Sequence, residues 1–488
     1  MSLFATKPLD RILAEAEGKH TLKKELSALQ LVLLGIGAII GAGLFTLTGP
    51  AAAQHAGPAI MLSFVVAALG CAFAGLCYSE FASMIPVAGS AYTYSYATMG
   101  ELLAWIIGWD LVLEYAVGAS TVAVSWTGYV VSFLRDFGIN FPLHFAASPL
   151  ESLKIPFTNP PIYAEGVVNL PALFIVALIS TLLIVGMKES ARFNAVMVSI
   201  KMMVIVLFIA FCWGLINPAN HVPLIPENTT GEFGHFGFTG IIRGAGIIFF
   251  AYIGFDAVST AAQDAKRPQR DMPIGIIGSL VICTVIYILF TYVLTGVVNY
   301  QELNDRAAVA LAIDRTSHQW LKTLVKLGVI AGYSSVILVM LFGQSRVFYS
   351  MSRDGLLPKF FSDIHPSFRT PWRSNLLFML FVGLMAAFLP LSHLGEMTSI
   401  GTLFAFVLVC AGVMVMRKTH PHLERPFKTP LVPIVPILGI LVNLYLMYGL
   451  GAENWIRLFV WLAIGLCIYF GYSRSHSLLG KQEPALRK

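Results

Sequence analysis

Several residues in this sequence could bind a small charged ligand inside an apolar environment. Four glycines, Gly35, Gly37, Gly41 and Gly43, interrupt an apolar run, and a second interrupted run follows at 244–256. Glycine costs about 1 kcal/mol relative to alanine inside a helix, so alternating glycines favour an unwound backbone. Such a backbone offers N–H groups to an anion and carbonyls to a cation. The two runs therefore indicate either close helix packing or a paired ligand site.

Lys201 is a charged residue in the middle of an apolar run, in the stretch Ser-Ile-Lys-Met-Met-Val. It lies about ten residues into that run, or roughly 12–15 Å from its edge at ~1.5 Å per residue. A lysine near the bilayer centre costs at least ~2.5–3.5 kcal/mol. Because burial disfavours the charged form, Lys201 could release and regain a proton during a transport cycle. A static structural lysine is the alternative.

Three carboxyl groups also fall in apolar runs. Asp110 and Glu114 are one helical turn apart, so both should lie on the same helix face. Facing a pocket, Glu114 could attract a guanidinium or ammonium side chain; otherwise it is a protonated or hydrogen-bonded core carboxyl. Asp256 ends the second glycine run, where it could hydrogen-bond the unwound backbone or join a proton path.

The elements that must position these residues are membrane-spanning helices. The chain has 488 residues, of which 57% are hydrophobic and only 12% charged, too few for the surface of a soluble protein. About 20 apolar residues cross the hydrocarbon core. By this criterion we predict an all-α polytopic membrane protein with twelve spans, numbered one to twelve in chain order, near residues 28–50, 59–84, 102–133, 167–187, 193–216, 239–262, 274–298, 320–347, 375–390, 394–416, 431–450 and 456–473.

Loop charges predict the orientation of these spans. With the N-terminus inside, the cytoplasmic segments hold far more Lys and Arg than the external loops. Residues 1–27 lack the apolar core and cleavage site of a signal peptide, so span one should be retained. We expect a multi-pass protein of the plasma (inner) membrane with both termini cytoplasmic. The net charge of +6 is then a topology signal, and its scatter over several loops does not predict nucleic-acid binding.

Other chemistries find little support. All six cysteines fall inside predicted spans and form no Cys/His cluster, so neither a zinc site nor a disulfide framework is predicted. The sequence contains no phosphate-binding loop, so ATP is not expected to be the energy source. No nucleophile–base pair or metal-ligand set lies in the spans, so no enzyme activity, cofactor or metal is expected.

The two glycine runs occupy spans one and six. These are corresponding positions if the first ten spans form two five-helix halves. Interrupted spans at matching places in two halves indicate a transporter site. Half-helix N-termini would attract an anion, and freed carbonyls would receive a cation. An α-amino acid zwitterion satisfies both requirements.

Five stretches resemble the amino acid–polyamine–organocation superfamily, and their combination resembles its cationic amino acid transporter branch, in a bacterial-type member. They are GIGAIIGAGLF at 35–45, PVAGSAYTYSYATMGELLAWIIGWDLVLEY at 86–115, KESARFNAV at 188–196, FFAYIGFDAVSTAAQDAKRPQRDMPIGI at 249–276 and GQSRVFYSMSRDGLLP at 343–358.

The resemblance implies the leucine-transporter-type fold, with two inverted five-helix repeats and two further helices. The organisation would then be a cytoplasmic tail, a first repeat, a second repeat, an accessory helix pair and a second cytoplasmic tail, over residues 1–27, 28–216, 239–416, 431–473 and 474–488.

The resemblance also implies a substrate site. The substrate carboxylate would take the N–H groups of Gly41, Ala42 and Gly43, and its ammonium the carbonyls of Ile39, Phe250 and Ile253. Ile40 and Ala251 complete the backbone of the two breaks, and the Phe250 ring would act as a gate. Glu114 and Tyr333 would build the side-chain pocket.

Two details of the resemblance bear on coupling and selectivity. In proton-coupled relatives, a lysine in span five replaces a sodium ion. Lys201 would then contact the carbonyls of Gly37 and Ile40 and the hydroxyl of Ser335. Animal members select cationic substrates partly through a small residue near Tyr333, and a tyrosine there argues against strict arginine or lysine specificity.

The sequence thus predicts a secondary active transporter that works by alternating access, with proton symport of cationic or small neutral L-amino acids. An obligatory exchanger and an amino-acid sensor without flux are the alternatives. The expected partners are the amino acid, protons and the lipid bilayer. The sequence leaves open whether a small accessory membrane subunit also takes part.

Overall fold

The computed structural model is built almost entirely of helices. It describes residues 3–8, 12, 26–85, 90–154, 163–185, 188–260, 262, 265–305, 307–316 and 318–481. Most of the predicted N-terminal tail, residues 482–488 of the C-terminal tail, and residues 86–89 and 263–264 of the family-like stretches lie outside this part of the chain.

Among the α-helices of the first half, the first begins with an N-terminal capping box, in which Ser27 and Gln30 exchange side-chain and backbone hydrogen bonds. Their bounds are Ala28–Ile39, Thr48–Ala51, Ile60–Met84, Ser90–Thr98, Glu101–Val112, Gly118–Asp136, Leu170–Val185 and Lys188–Cys212. Wider π-helical turns at Gly43–Leu47, Ala52–Ala56 and Leu113–Val117 interrupt them.

The second half continues in the same way. Its α-helices are Gly237–Ile248, Ala257–Thr260, Pro268–Val297, Ala308–Asp314, Gln319–Arg353, Trp372–Phe388, Leu391–Thr419, Ile434–Gly449, Ala452–Ile468 and Arg474–His476, with a π-helical turn at Tyr469–Ser473. Short 3₁₀ turns lie at Gly57–Ala59, Leu143–Phe145, Trp213–Leu215, Pro218–His221, Phe249–Tyr252, Tyr300–Glu302 and Lys359–Ser362. The strands Ser152–Lys154 and Tyr163–Glu165 pair antiparallel between spans three and four.

Each of the twelve predicted runs coincides with helix, and the structure confirms a polytopic helical protein. Eight described segments are long and apolar enough to cross a membrane, and one of them, Gly43–Met84, joins the end of span one to span two. The apolar helices Ala28–Ile39, Leu170–Val185, Trp372–Phe388 and Ile434–Gly449 are shorter. The count of twelve and the division into two repeats therefore stay predictions.

The core of the bundle forms around spans one and six. Span seven, Pro268–Val297, packs along both span one and span two, while span eight packs along span three and span five. Apolar side chains of these helices merge into one continuous buried cluster. The interrupted segments of spans one and six lie inside this cluster, so their backbone is enclosed by protein, as irregular backbone at membrane depth must be.

Candidate functional site

Spans one and six both lose helical geometry at mid-length. The first helix ends at Ile39, and Ile40 is extended, with φ −74° and ψ 107°, before the π-helical turn from Gly43. In span six the helix ends at Ile248, and Ile253 is extended after a tight 3₁₀ turn. Gly254 follows with φ +113°, a conformation that favours glycine. The unwound segments predicted from the glycine runs are therefore present in both spans.

The two breaks touch each other. A Cβ atom on Gly43 would lie 2.2 Å from the Cα of Ala251 and 2.4 Å from its backbone nitrogen, closer than any side chain permits. Gly37 similarly meets Val198 of span five, at 2.6 Å. The glycines thus serve close packing as well as the break itself. The two readings of the sequence are compatible, because packing is what brings the two interrupted backbones together.

Side chains from spans five and seven satisfy the carbonyls at the end of the first half-helix. The Lys201 ammonium donates to the carbonyl of Gly37 and, at 3.0 Å, to that of Ile40. The Tyr287 hydroxyl lies 3.1 Å from the Ile39 carbonyl oxygen and 2.7 Å from that of Ala251. Tyr287 therefore links the two breaks through one hydroxyl group.

Lys201 is fully buried, and the structure gives it two of its three predicted contacts. Its aliphatic chain packs near Gly332 of span eight, where a Cβ would lie 3.4 Å away. The Ser335 hydroxyl donates to the Gly332 carbonyl at 2.7 Å. Neither described hydrogen bond of Lys201 goes to Ser335, because that hydroxyl is held by its own helix.

Aromatic residues close the site on the side of Phe45. The Tyr333 hydroxyl is 2.7 Å from the Thr46 hydroxyl, and the Tyr129 hydroxyl donates to the Phe45 carbonyl at 2.8 Å. The Tyr129 and Tyr333 rings meet edge to face, with centroids 5.6 Å apart. Tyr333 therefore forms part of an aromatic lid beside the span-one break.

A cavity of about 470 Å³ lies beyond this lid, on the side predicted to be external. It is lined by Leu47, four residues after Gly43, and by Ile247, three residues before Phe250. The predicted site residues are buried, with Phe250 the most accessible of the measured non-glycine side chains at 3%. The site is therefore occluded beneath the cavity.

Three carboxyl groups are buried in or after spans three and six. Asp110, Glu114 and Asp256 are each at most 1% exposed. The Tyr115 hydroxyl donates to Asp256 Oδ2 at 2.7 Å. Asp256 thus accepts a hydrogen bond from a side chain of span three.

Sequence reasoning did not select Tyr287, Tyr115, Thr46 or Tyr129. A signal existed, since a buried tyrosine normally places its hydroxyl on a hydrogen-bond partner. Seventeen tyrosines are present in the chain, however, and the sequence does not indicate which of them face the breaks.

Comparisons with known proteins place this geometry in context. The family model described as "Amino acid permease" matches residues 26–470. The chain is 45% identical over 481 residues to a branched-chain amino acid permease of Bacillus subtilis, covering 98% of this chain and 99% of that protein. It is 43% identical over 480 residues to a methylthioribose transporter of the same organism, with 98% and 100% covered. It is 31% identical over 593 residues to the vacuolar cationic amino acid transporter 4 of Arabidopsis thaliana, with 98% and 96% covered.

Proposed function

The chain belongs to the amino acid permease family, and from this we propose that it is a secondary active transporter of L-amino acids, coupled to protons. Membership confirms the resemblance to the amino acid–polyamine–organocation superfamily, and the relatives are permeases and transporters rather than enzymes. The observation that carries the proposal is the direct contact of two interrupted spans at Gly43 and Ala251. Paired breaks place helix-end dipoles and exposed backbone groups around one point.

The proposed site binds the amino acid through backbone groups. The N–H groups of Gly41, Ala42 and Gly43 would receive the carboxylate, because they begin the second half of span one. The carbonyls of Ile39, Phe250 and Ile253 would receive the ammonium group. Opposite charges of the zwitterion then meet opposite helix dipoles. Ile40 and Ala251 contribute the adjoining backbone, and Phe250 acts as the gate on the span-six side.

Lys201 is the proposed proton-coupling group. Its ammonium holds the carbonyls of Gly37 and Ile40 at the end of the first half-helix. Hydrogen bonds to charged groups are worth about 1.5–3 kcal/mol each, and 1.4 kcal/mol is a factor of ten. Losing the proton would weaken both bonds, and it would shift an inward–outward equilibrium more than tenfold if only one of the two states contains them. Substrate binding at the same half-helix would bias the same equilibrium.

We propose a neutral, small or branched side chain for the preferred substrate. Tyr333 narrows the space above the breaks and is held in place by Thr46. A branched-chain permease at 45% identity is consistent with an apolar side chain. A cationic substrate, which the 31% relative carries by name, is the competing outcome.

The protein would act in the plasma membrane with both termini in the cytoplasm, as the loop charges predict. The cavity of about 470 Å³ would then be the external vestibule, and the occluded site would lie beneath it.

Uptake into proteoliposomes tests the proposal. Amino acids that raise the unfolding temperature would be offered with an inward proton gradient, using wild-type protein and Lys201→Ala. We expect gradient-driven uptake in the wild type, with its pH dependence lost in the variant. Uptake that is unchanged in Lys201→Ala at every pH would overturn the proton role. Counterflow without any response to a gradient would indicate an exchanger, and binding without flux a sensor.

A further inference from the structure

A buried carboxylate joins span two to span ten at the side of the bundle predicted to be cytoplasmic. The Glu80 side chain is 1% exposed and accepts two hydrogen bonds from the Arg417 guanidinium, from Nε at 3.0 Å and from Nη2 at 2.7 Å. Arg425 Nε lies 3.3 Å from Glu80 Oε1, and the backbone N–H of Thr429 donates to Oε2 at 2.8 Å. These four residues, here called the Glu80 cluster, attach span two to the end of span ten and to the linker that follows it.

The linker after span ten is organised around this cluster. Arg425 donates to the carbonyl of Met416 at 3.4 Å and to that of His420 at 2.8 Å, where the helix of span ten ends. Carbonyls at the C-terminus of a helix have no partner within the helix, and a cation there also interacts favourably with the helix dipole. The Thr429 hydroxyl donates to the Leu76 carbonyl of span two at 3.1 Å. Span two therefore holds the linker through its backbone as well as through its carboxylate.

Span two is interlocked with the helices that carry or support the breaks. A Cβ atom on Gly75 would lie 2.7 Å from the Leu280 side chain of span seven, so the two helices are in close contact there. The Ser63 hydroxyl of span two donates to the Ile241 carbonyl of span six at 2.9 Å. Spans two, six and seven therefore pack as one group.

Span ten is interlocked with span three instead. A Cβ atom on Gly401 of span ten would lie 2.7 Å from the Cβ of Leu113. A Cβ atom on Gly118 of span three would lie 3.3 Å from the Thr398 side chain. The Glu80 cluster therefore connects two groups of helices, each of which is closely packed within itself.

The Glu80 cluster differs in chemistry from these interlocked contacts. Separating apolar surfaces in water is unfavourable, and it forfeits the dispersion contacts between them. Charged groups regain their hydration when they part, so a buried ion pair can open at a small net cost in free energy. The Arg417 side chain is 27% exposed, so water already reaches one side of the cluster. The cluster therefore has the chemistry of a contact that can open and reclose.

We propose that the Glu80 cluster is a cytoplasmic gate, which keeps the inner side of the transporter closed and parts in each transport cycle. In this structure the gate is closed, and the cavity of about 470 Å³ lies on the side predicted to be external. Glu80 is then a positioning residue, because it acts through the helices that it joins. This inference rests on the proposed function, since a gate that parts in each cycle requires a transporter with alternating access.

Modification of a native thiol in the wild type tests whether the gate parts. Cys77 lies three residues before Glu80, on the same face of span two, and is buried, whereas Cys467 is exposed and serves as the reference. The rates at which N-ethylmaleimide modifies both thiols would be measured by peptide mass spectrometry in proteoliposomes. We expect a transported amino acid with an inward proton gradient to raise the Cys77 rate severalfold relative to Cys467. Transport with an unchanged Cys77 rate would overturn the proposal.

Glu80→Gln removes the charge of the gate and keeps its shape. The closed state would then bury guanidinium groups without their carboxylate, whereas the open state hydrates them, so the open state should gain population. A hydrogen bond to a charged group is equivalent to about a tenfold factor or more in an equilibrium, so Cys77 modification without substrate should become about tenfold faster. Asp136→Asn is the matched control, because it breaks an ion pair with Lys326 that joins spans three and eight. It should leave the Cys77 rate unchanged.

A double variant separates a gate from a structural brace. Arg417→Gln should raise the Cys77 rate to a similar extent, and adding Glu80→Gln should raise it little further, because both changes remove the same contact. Additive increases in the two variants would assign the faster modification to general destabilisation. A Glu80→Gln protein that unfolds at a lower temperature without faster Cys77 modification would make the cluster a brace and overturn the gate. If Glu80→Gln does not fold, the wild-type measurement decides.

Failure of the gate and failure of the proposed function give different results. If the wild type carries amino acids while Glu80→Gln leaves the Cys77 rate unchanged, the gate fails and transport stands. If the wild type carries no amino acid, while Glu80→Gln raises the Cys77 rate and Asp136→Asn does not, the proposed function fails and the closing role of the Glu80 cluster stands.

Discussion

Replacing Gly43 with alanine should separate the two breaks and abolish transport. The new Cβ would lie 2.2 Å from the Ala251 Cα, whereas carbon atoms pack at about 3.5–4.0 Å, so the backbones must part by roughly 1.3 Å or more. The obstructing atoms are backbone atoms inside a packed core, so no side chain can rotate away. Overpacking of this kind costs about 1–3 kcal/mol. A displacement near 1 Å in a binding site can cost about 100-fold in rate.

Gly383→Ala is the matched control. Its Cβ would meet only Val176, at 3.9 Å, within the regular helix Trp372–Phe388. Helix propensity alone predicts a gain of up to ~1 kcal/mol there. Both variants would be compared by thermal unfolding in detergent and by initial uptake rate in proteoliposomes. We expect Gly43→Ala to unfold at a lower temperature and to lose uptake, while Gly383→Ala unfolds at or above the wild-type temperature and keeps wild-type uptake. If Gly43→Ala bound and carried substrate within about twofold of Gly383→Ala, the contact between the breaks would not determine function.

Three further perturbations test other parts of the structure. Tyr287→Phe leaves two buried carbonyls without their shared hydroxyl, which should lower the free energy of unfolding by about 1–3 kcal/mol and slow uptake. Tyr252→Phe removes a hydrogen bond only from a carbonyl of span two, so it should lower stability but reduce uptake less than Tyr287→Phe does. Lys326→Met removes the buried ammonium that approaches the Asp136 carboxylate to 2.6 Å. Because Asp136 itself reaches solvent, stability should fall by only about 1 kcal/mol, partly recovered by adding Asp136→Asn. Burial lowers the pKa of His221, so the unfolded chain binds more protons, and the fall in unfolding temperature on acidification below about pH 6.5 should be smaller in His221→Gln than in wild type.

Contrary results would be equally informative. Equal uptake in the two tyrosine variants would show that the bridge between the breaks is dispensable. Full stability of Lys326→Met would show that the carboxylate finds another partner. An identical acid response in wild type and His221→Gln would place that response on other groups.

The sequence predicted the breaks because their cause is local. Gly41 and Gly254 weaken a helix wherever it packs, and the apolar run around each one is long enough to be recognised without a structure. Lys201 was predictable for a similar reason, since a charge amid apolar residues is costly and must have a partner. Its contacts with Gly37 and Ile40 were inferred through the family resemblance, and the structure contains both.

The contacts of the buried carboxyl groups could not be predicted in the same way. Asp110 and Glu114 were grouped by helical spacing, yet the hydrogen bond found in this region joins Tyr115 to Asp256, far along the chain. Ser335 was expected on Lys201, but its hydroxyl bonds to the Gly332 carbonyl. A serine in a helix can always turn to its own backbone, and the sequence does not reveal that choice.

The sequence by itself thus determined a polytopic membrane protein with two glycine-broken spans and charges that need partners, because apolar length, helix propensity and the cost of buried charge act residue by residue. Only the tertiary structure decided that Gly43 touches Ala251, that Tyr287 joins the two breaks and that Tyr115 donates to Asp256. Such contacts depend on how each helix is rotated and where it crosses its neighbours. These geometries arise from packing the whole core at once, and no single segment encodes them.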